Sequence, residues 1–426
     1  MSLTARDHGV QIDADASRVV ARLFLPGETI GPSRSRVDVI AGRVSALPQD
    51  VAERIAKQIV ADFSSRHTNL AGILDDHARS GIATIGGEVP DDDARRTVLG
   101  ASFTSEYAVE GAALCNPSPT VHPDQTGLQP GQLRVALSLR EIGEGHVSVL
   151  GFASAIIGPG EGWVFEERQH PLEIAAVTQA DATWASYHAT FAHGSELSRR
   201  VIQPVIAEEK NGIEDARIVQ VTADDGSVEY RATYTAYDGH RVVPRLLVSK
   251  DLVTFTSHRL TGPAATNKGV ALFPRRVNGE LLALVRSDGE TNSIATSADG
   301  LDWQRETAIM PPRSEWELVQ SGNCGSPIET PEGWLVMTHG VGPMRAYTMS
   351  AMLLDLDDPT KVIGSLDGPL LKSDGARQNG YVPNVVYSCG SIVHDGILWI
   401  PFGVGDNRIR IASVALDELL AAMVRE

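Results

Sequence analysis

The chain has 426 residues, 42% of them hydrophobic, with 40 Gly and 23 Pro and no low-complexity tract, which is the makeup of a folded, turn-rich protein. Lys and Arg number 37 against 54 Asp and Glu, a net charge of −17, and the basic pairs at 95, 199 and 275 stand alone, so a general electrostatic footprint for nucleic acid or anionic membrane is excluded. Cys115, Cys324 and Cys389 are far apart and form no C-x-x-C, and no 18-residue apolar run occurs, so no disulfide framework, zinc knuckle or membrane helix is expected.

In chain order, the opening MSLTARDHGVQIDAD lacks the apolar core of a secretion signal, and with reduced thiols this predicts a cytoplasmic protein. LPQDVAERIAKQIVADF then spaces Val51, Ile55, Ile59 and Phe63 four apart with charge between them, which predicts an amphipathic helix. A second helix is expected across NLAGILDDHAR. Residues 1–105 therefore read as a mostly helical extension. Their apolar stripe needs a partner surface, either the pocket they would cap or, the favoured reading, an interface of a homo-oligomer.

Over 106–426 the texture changes to short apolar runs punctuated by Gly, Asp and Pro, such as LRVALSLR, EYRATYTAYDG, ELLALVRSDG, GWLVMTHGV and GILWIPFGV. These read as strands joined by turns, with no helical pattern long enough for βαβ crossovers, and a short helix, LDELLAAMV, follows. SKDLVTF at 249 and SADGLDW at 297 share S-x-D and an aromatic six residues after the Ser, 48 residues apart. Repeats of about 50 residues built from short strands match four-stranded propeller blades. The expected fold is all-β, a five-bladed β-propeller with an N-terminal helical extension and a short C-terminal helix; a β-sandwich is the rival.

The stretch NGIEDARIVQV sets Glu214 and Asp215 at a strand entrance, with Arg217 two residues beyond Asp215. Asn-Gly is a strong turn pair, so the acids are either turn caps or a carboxylate held at the mouth of a sheet with a guanidinium beside it. Further polar residues fall at strand ends: Asn116, Arg140, Tyr234, Tyr237, Asp238, Lys268, His339 and Asp406. Each alone reads as a turn or surface residue, whereas in a propeller such strand ends converge on one channel. HExxH, GxSxG, GxxxxGK[ST] and a Rossmann GxGxxG are all missing from the sequence, which leaves carboxylate chemistry in a polar pocket, suited to sugars. No metal or cofactor is expected.

GIEDARI, TYTAYDG, SKDLVTF, NKGVALFPRRVNGEL, GSPIETPEGWLVMTHGV, LLDLDDPTKVI, GYVPNVVYSCG and FGVGDNRIRIA, in this order, resemble glycoside hydrolase family 130, the β-mannoside phosphorylases and related β-mannosidases. The resemblance spans about residues 110–415 and leaves out the helical first hundred. It implies a five-bladed propeller and an inverting cleavage of β-mannosidic bonds in oligosaccharides. Asp215 would be the general acid, acting through the mannose 3-hydroxyl, with phosphate or water attacking C1 from the opposite face. Asn116 and Arg140 would hold the mannose, and Glu214, Arg217, Tyr237, Asp238 and Asp406 would add sugar contacts. Lys268 and His339 lie near the phosphate positions of the family.

A phosphorylase takes inorganic phosphate as co-substrate and needs no carboxylate base, whereas a hydrolase needs one to activate water. Phosphorolytic members carry an arginine directly before the Ser/Thr-Lys-Asp loop. Val248 stands there in this chain, which tips the expectation toward hydrolysis, with Glu317 or Asp406 as the base. Arg245, three residues earlier, would restore phosphorolysis if it reached the pocket. The remaining readings are cleavage of another glycoside, such as an arabinofuranoside, and a non-catalytic carbohydrate-binding propeller.

Overall fold

A computed structural model describes residues 3–27, 29–30, 34–159, 162–223, 225–373 and 375–425. The chain forms two compact units, one of Met1–Asp15, Ala112–Arg168 and Ile174–Glu426, the other of Ala16–Gly111 and Gln169–Glu173. The elements used below are, in chain order, β1 (Arg6–Asp13), β2 (Val19–Leu23), α1 (Arg36–Ser45), α2 (Gln49–Phe63), α3 (Leu70–Ala83), α4 (Asp93–Ser102) and β3 (Thr104–Ala108).

The smaller unit holds these helices, the antiparallel pair β2 with β3, registered Val19↔Ala108, and a short antiparallel pair of Thr29–Ile30 with Arg34–Ser35. Ser35 and Asp92 cap α1 and α4 by accepting from the amides of Asp38 and Arg95, the expected remedy for unpaired first-turn N–H groups. Helices α3 and α4 cross at Gly100, where a Cβ would come within 2.0 Å of the Leu74 carbonyl oxygen, so no larger residue fits. The stripe expected on α2 is only partly used. Ile55 and Ile59 pack against a core that includes Val37, Ala78, Ile82, Leu99 and Phe103, while Phe63 stays 37% exposed.

The larger unit is built from antiparallel meanders. β4 (Ala113–Val121), β5 (Leu133–Ile142) and β6 (Ser148–Ile157) form the first, and β7 (Gly212–Thr222), β8 (Val228–Tyr237), β9 (Val242–Ser249) and β10 (Thr254–Arg259) the second. One parallel bridge, Gly212↔Ser148, joins the two into a twelve-stranded sheet. A four-stranded sheet follows, with β11 (Leu281–Val285), β12 (Asn292–Ser297) and β13 (Arg305–Met310). A seven-stranded sheet contains β14 (Gln320–Asn323), β15 (Gly333–Val341) and β16 (Tyr347–Leu354). Last come β17 (Ile397–Val404) and β18 (Arg408–Ala415), trailed by the expected short helix, α5 (Leu416–Ala421).

The opening residues are a strand, which the sequence reading did not anticipate: β1 pairs antiparallel with β18, Arg6 opposite Ser413, in a five-stranded sheet. The 1–105 and 106–426 division expected from the texture thus meets a β unit that takes its first strand from the N-terminal side. Continuous apolar runs give strands buried on both faces, such as β15 and β17, and Trp303, Trp334 and Trp399 are fully buried between sheets. The 48-residue repeat is one turn built twice. Asp251 accepts from the amides of Val253 and Thr254, and Asp299 from those of Leu301 and Asp302, while Ser249 and Ser297 accept from Leu252 and Gly300 and the aromatics Phe255 and Trp303 go into the core.

Candidate active site

Two β-bulges aim the key side chains. The β7–β8 register shifts between Glu214 and Arg217, and the β4–β5 register between Cys115 and Ser118. A bulge leaves a residue outside the ladder, free to point along the sheet end. At these points Asp215 (φ 55°) and Asn116 (φ 52°) adopt the left-handed conformation, which short Asn and Asp side chains tolerate best. The simple alternation expected for Asp215 and Arg217 is therefore broken, yet both still reach one cavity. Hydrogen bonds lock the bulges together: Ser118 Oγ accepts from the Ile218 amide and Ser138 Oγ donates to the Ala216 carbonyl.

The cavity, about 470 Å³, is lined by Asn116, Arg140, Asp215, Arg217, Lys268, His339 and Asp406, seven residues singled out from sequence. Asn116 donates from Nδ2 to Asp215 Oδ1, and Arg140 donates to Asp215 Oδ1 at 3.2 Å and to Glu214 Oε1 at 2.7 Å. Lys268 bonds the other Glu214 oxygen. Glu214 thus orders two cations from just behind the cavity lining.

Burial pushes the Asp215 carboxyl up, but Arg140, Lys268, the Asn116 hydrogen bond and Arg217 together hold it below the usual range. Asp406, at a left-handed turn residue (φ 50°) between β17 and β18, behaves oppositely. Burial, with Asp215 repelling it and Arg140 opposing, raises its carboxyl to about 6. The two carboxyls are therefore driven apart by their surroundings, the pattern that separates proton-holding from charged roles.

Residues that sequence reasoning missed complete the far wall. Arg286, directly after β11, reaches the cavity with Nη1 3.4 Å from both the Ser321 carbonyl and His339 Nε2, its Nε has no partner, and among the described residues no carboxylate lies within ion-pair distance. Its signal was present: LALVRSDG, like VALSLREIGEG, ends an apolar run in Arg just before a glycine turn. Arg345, Gln320, Tyr347 and Tyr387 line the same wall. Arg217 donates to Asn323 Oδ1 and, at 2.6 Å, to the Tyr387 hydroxyl.

His339 donates from Nδ1 to the Asn323 carbonyl at 3.2 Å, which leaves Nε2 as the acceptor facing Arg286. Burial, reinforced by Arg286 and Arg217, holds it neutral, well below the usual imidazole range. It lies between Tyr347, stacked at 6.2 Å, and Tyr387, edge-on at 4.9 Å. Gly322 makes the close approach feasible, since a Cβ there would lie 2.5 Å from His339 Cε1 and 3.0 Å from Arg286 Nη1.

Other expected site residues sit elsewhere. Glu317 accepts from the Arg313 and Ser314 amides at 3.0 and 3.2 Å, capping a short 3-10 turn outside the cavity, so it is not placed to activate water. Asp238 caps its own turn through the His240 and Arg241 amides. Tyr237 donates to the Gly239 carbonyl at 2.9 Å and meets the site only through Lys268, whose Nζ is 5.9 Å from the ring centroid. Val248 is half-buried against the core around Trp303 and does not line the cavity. Arg245 is fully buried against Glu208, Tyr234 and Ser257 and does not line the cavity. The observation that favoured hydrolysis, a missing arginine at 248, thus concerns a side chain that rests against an apolar core away from the cavity lining.

Five cationic side chains line the cavity, Arg140, Arg217, Lys268, Arg286 and Arg345, against two carboxylates, Asp215 and Asp406. In a chain of net charge −17 this local excess of positive charge marks a place for an anion. Among the described residues no group of three or more His, Cys, Asp or Glu could hold a metal ion, and no helix is long and apolar enough to cross a membrane. The three cysteines are buried and free.

Against known proteins, a family model described as beta-1,4-mannooligosaccharide phosphorylase, that of glycoside hydrolase family 130, matches residues 192–425, more than half of the chain. A 1,2-beta-oligomannan phosphorylase of Thermoanaerobacter sp. (strain X514) is 33% identical over 230 residues, 52% of this chain and 75% of its own. A beta-1,2-mannobiose phosphorylase of the same organism is 32% identical over 230 residues, 52% and 73%. A solved structure of a putative glycoside hydrolase from Bacteroides ovatus superposes with a TM-score of 0.55 at 18% identity, over 74% of this chain and 90% of that one, a likeness of fold.

Proposed function

The chain belongs to glycoside hydrolase family 130 and is an enzyme of β-mannosidic linkages, and on that premise we propose that it is an inverting phosphorylase, transferring a mannosyl residue from an oligosaccharide to inorganic phosphate. The observation that carries the choice of phosphate over water is Arg286, a guanidinium in the cavity wall with an unpartnered Nε and no carboxylate counter-ion among the described residues. Such a group binds a phosphate oxygen with a strong charge-assisted hydrogen bond. The relatives at 33% and 32% identity, both named phosphorylases of β-1,2-linked substrates, support phosphorolysis and make β-1,2-mannooligosaccharides the first substrates to test.

The chain's own groups divide the work. Asn116 and Arg140 hold the mannosyl residue beside Asp215. Asp215 delivers a proton toward the glycosidic oxygen while phosphate, held by Arg286 and Lys268, attacks C1 from the other side and leaves α-mannose 1-phosphate. In the empty cavity Asp215 is ionised, as its surroundings dictate. Bound sugar removes water from its carboxyl and strengthens the burial that already opposes its charge, so the proton is taken up with substrate. Asp406, still charged at neutral pH although its carboxyl is raised to about 6, accepts from a sugar hydroxyl. Neutral His339 orients Arg286 and adds no charge of its own.

The five antiparallel groups of the larger unit support a five-bladed β-propeller, with the helices inserted after its first strand. The test is product analysis on β-1,2-mannobiose with and without phosphate. Mannose 1-phosphate formed only with phosphate bears out the reading; free mannose at equal rates in both sinks it and returns Asp406 to the role of base.

A further inference from the structure

Beside the charged cavity stands an aromatic pair. His146, in the turn between β5 and β6, and Tyr381 lie with their rings 5.4 Å apart at 26°, joined by a hydrogen bond between His146 Nδ1 and the Tyr381 hydroxyl. Tyr381 is 42% exposed. Its neighbour Val382 lines the cavity and donates its amide to the Gly405 carbonyl at 2.9 Å, next to Asp406. The ring pair therefore spans from the turn after the Arg140 strand to the loop seated on the Asp406 turn. Leu318 at 70% and Met344 at 87% exposure lie in the segments that supply Gln320 and Arg345 to the cavity. Met344 holds φ 58°, a conformation a long side chain rarely adopts, so the turn that presents it is held by its surroundings.

Exposed Tyr381 and Val382 set aromatic and apolar surface directly beside the polar cavity. A phosphate ion gains nothing from it. A pyranose ring does, because it offers an apolar C–H face to an aromatic ring and hydroxyl groups around its edge to a tyrosine hydroxyl or an imidazole nitrogen. Continuity decides the occupant: Val382 belongs both to the cavity and to the rim, so a sugar chain leaving the cavity runs onto the His146–Tyr381 pair. Resting on the β-mannoside reading above, we infer that this rim, centred on Tyr381, is an outer sugar subsite that holds the residues of an oligosaccharide beyond the two flanking the cleaved bond.

The test measures kcat/KM for β-1,2-mannobiose and β-1,2-mannotetraose, by sugar or sugar-phosphate release, in wild type, Tyr381→Ala and Tyr381→Phe. The tetraose-to-biose ratio is expected to fall roughly 3- to 10-fold in Tyr381→Ala, the range of an aromatic face contact, and to stay within about twofold in Tyr381→Phe, which keeps the ring. Equal losses on both substrates in Tyr381→Ala would overturn the subsite while leaving the β-mannoside reading intact, as would a wild type with no preference for the longer chain. A Tyr381→Ala protein that changes its oligomeric state on gel filtration, with the ratio unaltered, makes the rim an interface between copies instead. A wild type that cleaves neither substrate overturns the β-mannoside reading, and the subsite with it.

Discussion

Asp406→Asn separates the cost of the site from its use. An ordinary aspartate titrates near 3.8 and Asp406 near 6, so the folded state binds this proton more tightly than the unfolded chain does. Its contribution to stability is complete below about pH 4 and is lost as pH rises through about 6. The difference of about 2.2 pH units, at about 1.36 kcal/mol each, makes the charged carboxylate cost about 3 kcal/mol at neutral pH. Asparagine keeps the shape and the hydrogen-bonding capacity without the charge, and Arg140 keeps its partners Glu214 and Asp215, so the substitution leaves no cation unpaired. Urea unfolding of wild type and variant from pH 4 to pH 8 is expected to show near-equal stability at pH 4 and a variant more stable by up to about 3 kcal/mol at pH 8, together with a lower kcat/KM. A stability difference that stays flat across this range, or one that favours wild type more at pH 8 than at pH 4, would refute the argument.

Asp215→Asn is expected to leave circular dichroism unchanged and to lower kcat by about 10²- to 10⁴-fold; an undiminished kcat removes Asp215 from the chemistry. Arg286→Ala should raise the KM for phosphate roughly 10- to 100-fold, the worth of one or two hydrogen bonds to a charged group, as read from initial rates over a phosphate titration. Gly322→Ala places its methyl against His339 and Arg286, so a loss of about 1–3 kcal/mol in stability and a higher phosphate KM are expected, with the mannoside KM the control. Val248→Arg replaces a half-buried valine packed on the core around Trp303, and should destabilise by about 1 kcal/mol without changing phosphate affinity; a tighter phosphate site would show that the side chain reaches the cavity.

Much of the site was legible because polar residues at the ends of apolar strands have few places to go. Asn116, Arg140, Asp215, Arg217, Lys268, His339 and Asp406 all meet in one cavity, although nothing in their spacing sets the distances between them. Glu317 and Asp238 failed for one local reason, since a carboxylate within three or four residues of free amides caps them before it serves a pocket. Val248 was weighed through the resemblance, which expects an arginine at that place, and only the structure shows that its side chain rests on the core around Trp303 and not in the cavity lining. Arg286 was overlooked because an arginine after a strand is ordinary, and only a three-dimensional fact distinguishes it: no carboxylate among the described residues lies within ion-pair distance. In the fold, β1 was missed because its partner lies some four hundred positions away, Arg6 opposite Ser413, beyond any local pattern.

That pairing also makes the helical segment an insertion in topological terms. The chain leaves the β unit at Asp15 and resumes it at Ala112, and just inside these points the Val109 amide donates to the Arg18 carbonyl at 2.9 Å, so the segment begins and ends side by side. A module with neighbouring ends can be lengthened, rebuilt or exchanged for a short turn without moving the register of any strand around it. The length of residues 16–111 is therefore not set by the register of β1 with β18 or by the bulges that aim Asp215 and Asn116.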